Sequence, residues 1–437
     1  MPKSPRIGKS SPSCWNDCLN DSVILSVLFL GLTPTVFFQD PTETELQTAQ
    51  RKVAELEAEL GPEHLEVAKA IDFQAQILMT HGANAQALLL FKRALAIKEK
   101  LLGPEHLDVA WSLQSLTLNL ESQGSYSEAR PFHERSVAIR EKNLGANHPD
   151  VAVSLGGLAG NCLYQGFFEE ARFLFERVLA INENNLGPNH DYVAYSLASL
   201  ADVLTKQGLY SEARPLYERS LSIFEKESGE LDVARALWPL AELLRVEGSY
   251  AEARVLHERA LKIFGKETWY RRFDTRVGLL LDRLALILDE QGSYNEARPL
   301  YERSLAAIEK EEGPDGHAMA VPLRDLANHF LAQGLFAEAQ PLFERAIAIR
   351  IKFLSPSHPR IANSLNTFAD LLRKQGLHFE AQSFLRRALG ATLGHLAKNL
   401  WPVSESDRFR ILDMQRGPEP LLLNLVALQG NEPTKAE

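Results

Sequence analysis

The chain is poor in cysteine, carries no excess of basic residues and has no long apolar run. It has three cysteines in 437 residues, Cys14, Cys18 and Cys162, so no disulfide framework is indicated. Lys and Arg number 47 against 57 Asp and Glu, which gives a formal net charge of −10 at pH 7. Because Lys and Arg contacts to phosphate supply most nucleic-acid affinity, we expect no nucleic-acid partner.

The N-terminal segment contains an apolar run, residues 23–38, that follows several basic residues as in a signal peptide. Two aspartates precede the run, Pro34 interrupts it, and no small-x-small cleavage site follows it. The run is also shorter than the roughly 20 residues that span a bilayer. We therefore expect residues 1–41 to be a poorly ordered leader of a cytoplasmic protein, and export or membrane anchoring through residues 1–38 is the alternative.

The dominant feature of the sequence is a glycine that recurs in one frame. The eight glycines are Gly82, Gly124, Gly166, Gly208, Gly248, Gly292, Gly334 and Gly376. Their successive spacings are 42, 42, 42, 40, 44, 42 and 42 residues. Such a period is typical of a solenoid or repeat array, in which neighbouring units share one elongated core. The repeat therefore predicts one array where length alone would suggest several domains.

Each unit is predicted to contain two helices joined at the glycine. In one unit the first helix covers residues 150–164, and in another the second covers residues 127–143. Glycine supplies the backbone freedom that a tight turn between helices requires. We expect the prolines of the second helices to lie in the first turn, where a missing N–H costs little. They are Pro131, Pro215, Pro299 and Pro341.

The apolar positions alternate between small and large residues. First helices carry a Leu-x-x-Leu-Ala pattern, as at residues 197–201. Second helices carry a small residue, such as Ala129, followed four positions later by a ring or leucine, here His133. This alternation lets antiparallel helices approach closely and interdigitate. Residues 42–59 are predicted to form one further helix that caps the N-terminal end of the array.

These positions resemble those of the tetratricopeptide repeat. The long connector Leu-Gly-Pro-x-His, as at residues 102–106, resembles the 42-residue repeats of kinesin light chains and their bacterial relatives. The resemblance covers about residues 60–393 and implies an all-α, right-handed superhelical solenoid of about eight helix pairs. It also implies that the first helices line a concave groove, and that such a groove binds an extended peptide or partner protein.

The C-terminal segment, residues 394–437, departs from the repeat pattern. Its predicted short helices cover residues 392–400, 404–414 and 419–428. The first interpretation is a capping helix pair that shields the last repeat. The second rests on residues 395–401 and 404–409, which resemble the segment after such repeats in bacterial proteins with a caspase-like CHAT protease domain. On that interpretation the chain is a regulatory or substrate-presenting fragment of a CHAT-type protease system.

No catalytic, cofactor or metal site is indicated by the sequence. Residues 8–10, Gly-Lys-Ser, lack the upstream glycine of a phosphate-binding loop. His133 and Glu134 begin like the helix of a zinc protease, but Val137 stands where the second histidine is needed. Cys162 occupies a slot that other repeats fill with leucine, so we expect a buried small hydrophobe. We therefore expect a non-enzymatic scaffold without cofactor or metal.

A histidine recurs in the connector, and we expect it to hydrogen-bond the backbone at the start of the following first helix. Adjacent units hold these histidines too far apart to share one metal ion. The five residues are His64, His106, His148, His190 and His358. The paired Glu-Arg of the second helices, such as Glu176 and Arg177, is expected to form a solvated ion-pair face.

Alignment to the tetratricopeptide pattern places a set of varied residues on the groove floor. The candidates are Trp111, Gln114, Tyr195, Asp202, Arg235, Trp238, Glu242, Arg245, Asp282, Arg324, Asn328 and Asn366. Tyr, Trp and Arg are the residues that most often dominate interface energies. In kinesin light chains an asparagine shortly before the second leucine of the first helix helps hold the peptide backbone. In this sequence only Asn366 keeps an asparagine at that position. The sequence thus predicts aromatic anchors among charges of both signs.

One connector, residues 268–276, is two residues longer than the rest and is both aromatic and basic. An aromatic and basic loop in an acidic array is a candidate docking edge. Its candidate contact residues are Trp269, Tyr270, Arg271 and Arg272. The alternative is that its aromatic side chains repack a junction that the change in length disturbs.

Overall fold

The computed structural model describes residues 43–266, 273–354, 356 and 358–400. Within these ranges it contains seventeen α-helices, one turn of 3-10 helix at His317–Met319, and no strand, which confirms the all-α prediction. The helices are α1 Glu43–Leu60, α2 Leu65–Thr80, α3 Asn84–Leu102, α4 Leu107–Ser122, α5 Tyr126–Leu144, α6 Pro149–Gln165, α7 Phe168–Leu186, α8 Asp191–Lys206, α9 Tyr210–Glu227, α10 Glu230–Val246, α11 Tyr250–Lys266, α12 Phe273–Glu290, α13 Tyr294–Glu312, α14 Ala320–Ala332, α15 Phe336–Phe353, α16 Pro359–Lys374 and α17 His378–Leu400. None of these helices is long and apolar enough to cross a membrane.

Eight helix pairs follow α1, and each predicted glycine lies between the two helices of a pair. Gly166 shows why the residue is required there. Its φ of 84° is in the left-handed region, which other residues adopt only at a cost. The turn is closed by two backbone hydrogen bonds, from Gly166 to Leu163 and from Phe167 to Cys162. The glycine frame in the sequence therefore marks the helix-pair turn.

The described residues form two compact units, which divide within α8 between Val203 and Leu204. In the first unit the predicted small and large slots are buried, as Ala129 (0% exposed) and Phe175 (1%) show. In the second unit Ala297 and Tyr301, both 0% exposed, fill the same slots. Small residues at one position and rings at the next thus build the core of each unit.

The connectors are fixed by the histidines, as predicted. The Nδ1 atom of His148 accepts a hydrogen bond of 3.1 Å from the backbone N–H of Asp150, which caps α6. The same bond forms at the other four connector histidines, His64, His106, His190 and His358. Arg177 of the following second helix also holds the connector before α6. It donates to the Ala146 carbonyl and pairs with Glu141 at 2.5 Å.

Two helix predictions are wrong. Each second helix begins directly after its turn, so Pro131 is the sixth residue of α5 and lies beyond the first turn. It removes one backbone hydrogen bond inside the helix, at an exposed position where water can reach the backbone. The separate helix predicted for residues 392–400 is absent, since those residues continue α17, which runs from His378 to Leu400. No proline or left-handed glycine stops it, and Ala388 and Ala391 stay buried.

Consecutive helix pairs meet at a matched pair of positions, one near the end of a second helix and one near the start of the next first helix. Where the first position is polar, the second is a serine that bonds to it. The polar matches are Lys98 with Ser112, Arg140 with Ser154, Asn182 with Ser196, and Arg350 with Ser364.

At three other junctions both positions are apolar and buried. They hold Phe224 and Ala236, Phe264 and Leu280, and Ile308 and Pro322. A buried polar group without a partner is costly, whereas an apolar pair needs none. The two members of each junction therefore share one polarity.

Candidate functional site

All twelve residues predicted for the groove lie on first helices of the repeats. In the first unit the most accessible of them is Trp111 in α4, whose side chain is 48% exposed. Its ring lies over the guanidinium of Arg140, with Cζ 4.5 Å from the ring centroid. Arg140 also donates to Gln114 at 3.2 Å, and so two predicted residues share one buried arginine.

The other two candidates of the first unit are in α8 and offer less surface. Tyr195 is only 3% exposed, and Asp202 is half-buried. A side chain as buried as Tyr195 serves the packing of the unit and has little area for a partner. A proposal about binding in this unit therefore rests on Trp111.

In the second unit α10 carries four candidates, and their side chains contact one another or neighbouring helices. Trp238 packs edge-on against the ring of His257, with centroids 6.2 Å apart. Arg245 bonds to Glu242 at 3.2 Å and to Glu290 of α12 at 2.5 Å. Arg235 pairs with Asp232 at 3.1 Å. The charges of α10 are thus compensated within the unit.

A cluster of two aspartates and two arginines joins α12 to α14. Arg324 donates to both carboxylate oxygens of its neighbour Asp325, at 2.8 and 3.1 Å. Arg283 reaches the same carboxylate at 3.3 Å and lies 3.2 Å from Asp282. Asp282 is 0% exposed. The predicted residues Asp282 and Arg324 therefore belong to one network, in which the aspartates are buried and Arg324 is partly exposed.

The pKa values of the two aspartates of this cluster are shifted in opposite directions. Burial, together with the negative charge of Asp325, raises the pKa of Asp282 well above its ordinary value. Burial also acts to raise the pKa of Asp325, but Arg324 and Arg283 outweigh it and lower that pKa. One carboxyl is thus favoured in its protonated form and the other as carboxylate.

Glu242 is held as a carboxylate by its surroundings. Burial acts to raise its pKa, but nearby His257 and the charges of Arg283 and Arg245 outweigh burial and lower the pKa to about 2. His257 Nε2 lies 3.4 Å from Glu242 Oε1, at the long end for a direct contact. Glu242 therefore serves as the anion that compensates the arginines of this face.

Sequence reasoning missed a recurrent carboxylate at the end of two first helices. In the first unit Glu121 lies 2.9 Å from His133 Nε2 and accepts a bond of 2.7 Å from Asn161 of the next repeat. His133 is 5% exposed, so its predicted packing role is confirmed together with this polar one.

In the second unit Asp289 takes the same position. It accepts from Tyr301 at 3.0 Å and lies 2.7 Å from His329 Nδ1 of the next repeat. The signal in the sequence was the combination of two residues in one repeat. An acidic residue stands three positions before the turn glycine, and a residue with a polar ring stands nine positions after that glycine.

The remaining predicted residues add two findings. Asn328 and Asn366 are half-buried, and the Oδ1 atom of Asn366 is buried without a hydrogen-bond partner. The candidate docking loop with Trp269, Tyr270, Arg271 and Arg272 lies outside the described residues. So do residues 1–41 and the predicted helices after residue 400.

The described part of the chain holds no group of three or more His, Cys, Asp or Glu residues placed to bind a metal ion. Cys162 is 0% exposed, as predicted, and burial raises the pKa of its thiol to about 12. At neutral pH this thiol is protonated and unreactive.

Comparison with protein families identifies the repeat. A model described as Tetratricopeptide repeat matches residues 74–142, 118–184, 150–226, 276–352 and 323–392, and a second model of that description matches residues 199–267. The first model alone covers residues 74–226 and 276–392, which is more than half of the chain. The chain belongs to the tetratricopeptide repeat family. A search of curated proteins found no match.

Solved structures of repeat proteins are similar to this chain. One is a kinesin light chain of nearly identical TPR-like repeats from Podosopora anserina, with 27% identity over 47% of this chain and 99% of that chain, and a TM-score of 0.42. Another is BtubC from P. vanneervenii, with 16% identity over 62% and 94% of the two chains and a TM-score of 0.39. A third is the apo form of RapI, with 14% identity, coverage of 65% and 98%, and a TM-score of 0.50.

Proposed function

We propose that this chain is a non-catalytic scaffold that binds a peptide or partner protein on the surface of its first helices. Stacked repeats of this kind present extended surfaces suited to protein recognition. The observation that carries the proposal is the contrast between the repeated and the varied positions. The repeated apolar positions, such as Ala129 and Phe175, are buried, whereas Trp111, a varied position, is 48% exposed.

Trp238 supports a second contact region in the other unit, because it is half-buried on α10 beside charged residues. The charges around it are already compensated by Glu242, Arg245 and Glu290. A partner that approaches this region meets paired charges, which select by geometry and cost of desolvation more than by net attraction.

Affinity purification with identification of the bound proteins by mass spectrometry tests the proposal. The expected result is a partner that is retained by the native chain and lost with Trp111→Ala or Trp238→Ala. Phe173→Ala is the matched control, since Phe173 is 65% exposed on the second helix α7. Recovery of every partner by both tryptophan variants, at native levels, contradicts the assignment to the first helices.

The regulatory fragment of a CHAT-type protease system stays a hypothesis. It rests on the sequence of residues 395–409, and the structure describes no side chain in that segment. A neighbouring reading frame for a His/Cys protease, and inhibition or substrate delivery by this chain in a mixture with that protease, are the observations that test it.

A further inference from the structure

Two aromatic side chains stand half exposed on neighbouring first helices of the first unit. Phe73 in α2 is 47% exposed and Trp111 in α4 is 48% exposed. The helices meet beside them, because Asp72 Oδ2 lies 3.5 Å from the hydroxyl of Ser112. Phe73 follows Asp72 and Trp111 precedes Ser112 in the sequence, and the exposed surface around the two rings is here called the α2–α4 aromatic surface.

Charged side chains lie next to this surface, and their charges are paired. Lys98 is 7% exposed, and its ammonium donates to Asp72 at 2.6 Å and to Ser112 at 2.7 Å. Lys69 in α2 pairs with Glu66 of the same helix at 2.8 Å. The charges of Lys98 and Asp72, and those of Lys69 and Glu66, are thus paired with each other.

Trp111 is held in place from beneath. The guanidinium of Arg140 lies 4.5 Å from its ring centroid, and Arg140 is only 1% exposed. Hydrogen bonds to Ser154 and Gln114 fix that guanidinium. A ring that is already ordered loses little conformational freedom on binding, which favours its use as an anchor.

The positive charge of the buried Arg140 guanidinium also affects which partner side chains can stack on the outer face of Trp111. The face of an indole attracts cations through its quadrupole, and Arg140 already occupies one face. A second cation on the other face would be repelled by Arg140 across the ring. Neutral ring side chains suffer no such repulsion, and by stacking on the indole they bury exposed area of Trp111.

We propose that the α2–α4 aromatic surface binds an extended partner segment through a neutral ring side chain, proline or aromatic, stacked on Trp111. This inference rests on the proposed function and adds the place and the chemistry of the contact. Lysine and arginine are disfavoured at the stacking position.

A displayed library of random twelve-residue peptides, selected on the purified full chain, tests this proposal. The expected selection is enriched in Pro, Phe, Tyr and Trp. A selected peptide should bind Trp111→Ala at least tenfold more weakly in a titration, and Trp111→Phe should retain part of the affinity because it keeps a ring. Phe173→Ala, an exposed aromatic on a second helix, should bind as the native chain does.

Repulsion by the Arg140 guanidinium is tested separately. Replacement of the ring residue of the peptide by lysine should cost at least tenfold on the native chain. It should cost clearly less on the double variant Arg140→Met with Ser154→Ala, which removes the cation and its serine partner together. Thermal melting of each variant verifies that it is folded before its affinity is compared.

The outcomes separate the two proposals. Peptides that bind but tolerate Trp111→Ala, or that depend on Trp111 while enriched in lysine and arginine, overturn this inference and leave the scaffold proposal standing. Failure to select any peptide, on this surface or elsewhere on the first helices, counts against both proposals.

Discussion

The guanidinium of Arg140 donates to the hydroxyl of Ser154, fourteen residues further along the chain, at the junction of two consecutive helix pairs. Both side chains are buried, with Arg140 1% and Ser154 5% exposed. The same offset joins Lys98 to Ser112, and in the second unit Arg350 to Ser364. Each of these buried cations donates to a hydroxyl, and Lys98 also pairs with the Asp72 carboxylate at 2.6 Å.

We predict that Ser154→Ala destabilises the chain by about 1–3 kcal/mol, because it leaves a donor of a buried charge without its acceptor. The double variant Arg140→Met with Ser154→Ala should lose less than the sum of the two single variants, since it restores an apolar junction. Urea unfolding midpoints measure the effect, and Ser115→Ala on the half-buried side of α4 is the control. Additive losses would show that the two residues are not coupled.

Asp282 and Asp325 give a prediction about pH. The raised pKa of Asp282 means that its favourable contribution is complete below its unfolded value near 3.8 and is lost as the pH rises through its folded pKa. Asp282→Asn removes this loss, so the variant should gain stability relative to the native chain between pH 5 and pH 8.

Asp325 has the opposite sign, because its lowered pKa contributes stability above the unfolded value that is lost on acidification. Asp325→Asn should therefore destabilise the chain at pH 7 and leave Arg324 and Arg283 without their carboxylate. Thermal melts of both variants at several pH values test the pair. Equal losses from the two variants at pH 8 would argue against the assignment of charge.

The histidine cap of α6 predicts a local cost. His148→Ala removes the acceptor for the backbone N–H of Asp150, and we expect a loss of about 1 kcal/mol. His148→Asn should recover most of it, because asparagine is a good N-cap residue. His81→Ala, at an exposed position after α2, is the control. No difference between the alanine and asparagine variants would show that the cap contributes nothing.

Cys162 should be inert in the folded chain. Its thiol is 0% exposed, and burial raises its pKa to about 12, so almost no thiolate is present at pH 8. In a background with Cys14→Ser and Cys18→Ser, a thiol-reactive disulfide reagent should label the chain only after addition of urea. Rapid labelling in buffer alone would mean that α6 opens readily.

The architecture was predictable because it is repeated. Glycine at a 42-residue spacing, as from Gly124 to Gly166, sets the turn and hence the helix pair, and each repeat confirms the others. The position of His148 before a first helix also predicted its bond to the backbone. Local chemistry of this kind depends on a few neighbouring residues and is therefore visible in the sequence.

The side-chain network of the first helices was harder to predict. Alignment placed Asp282 and Arg324 on the groove floor, but it did not show that Arg283 of one repeat reaches Asp325 of the next, or that Asp282 is buried. Tyr195 was expected as an anchor and is 3% exposed. The exposure of a side chain at such a position depends on the size of the side chains in the neighbouring repeats. It therefore cannot be predicted from the sequence of one repeat alone.

The matched junctions limit how this array can change its length. A repeat that ends in a residue such as Arg140 requires a follower that begins with a serine, and one that ends in Phe224 requires an apolar follower. Tandem duplication of the repeat between Ser154 and Asn182 gives a compatible copy, since it begins with serine and ends with a polar residue. Recombination that placed it after Phe224 would set a serine against a phenylalanine and lose the polar match. The polarity of the junction residues therefore restricts which repeats can follow one another when the array gains or exchanges repeats.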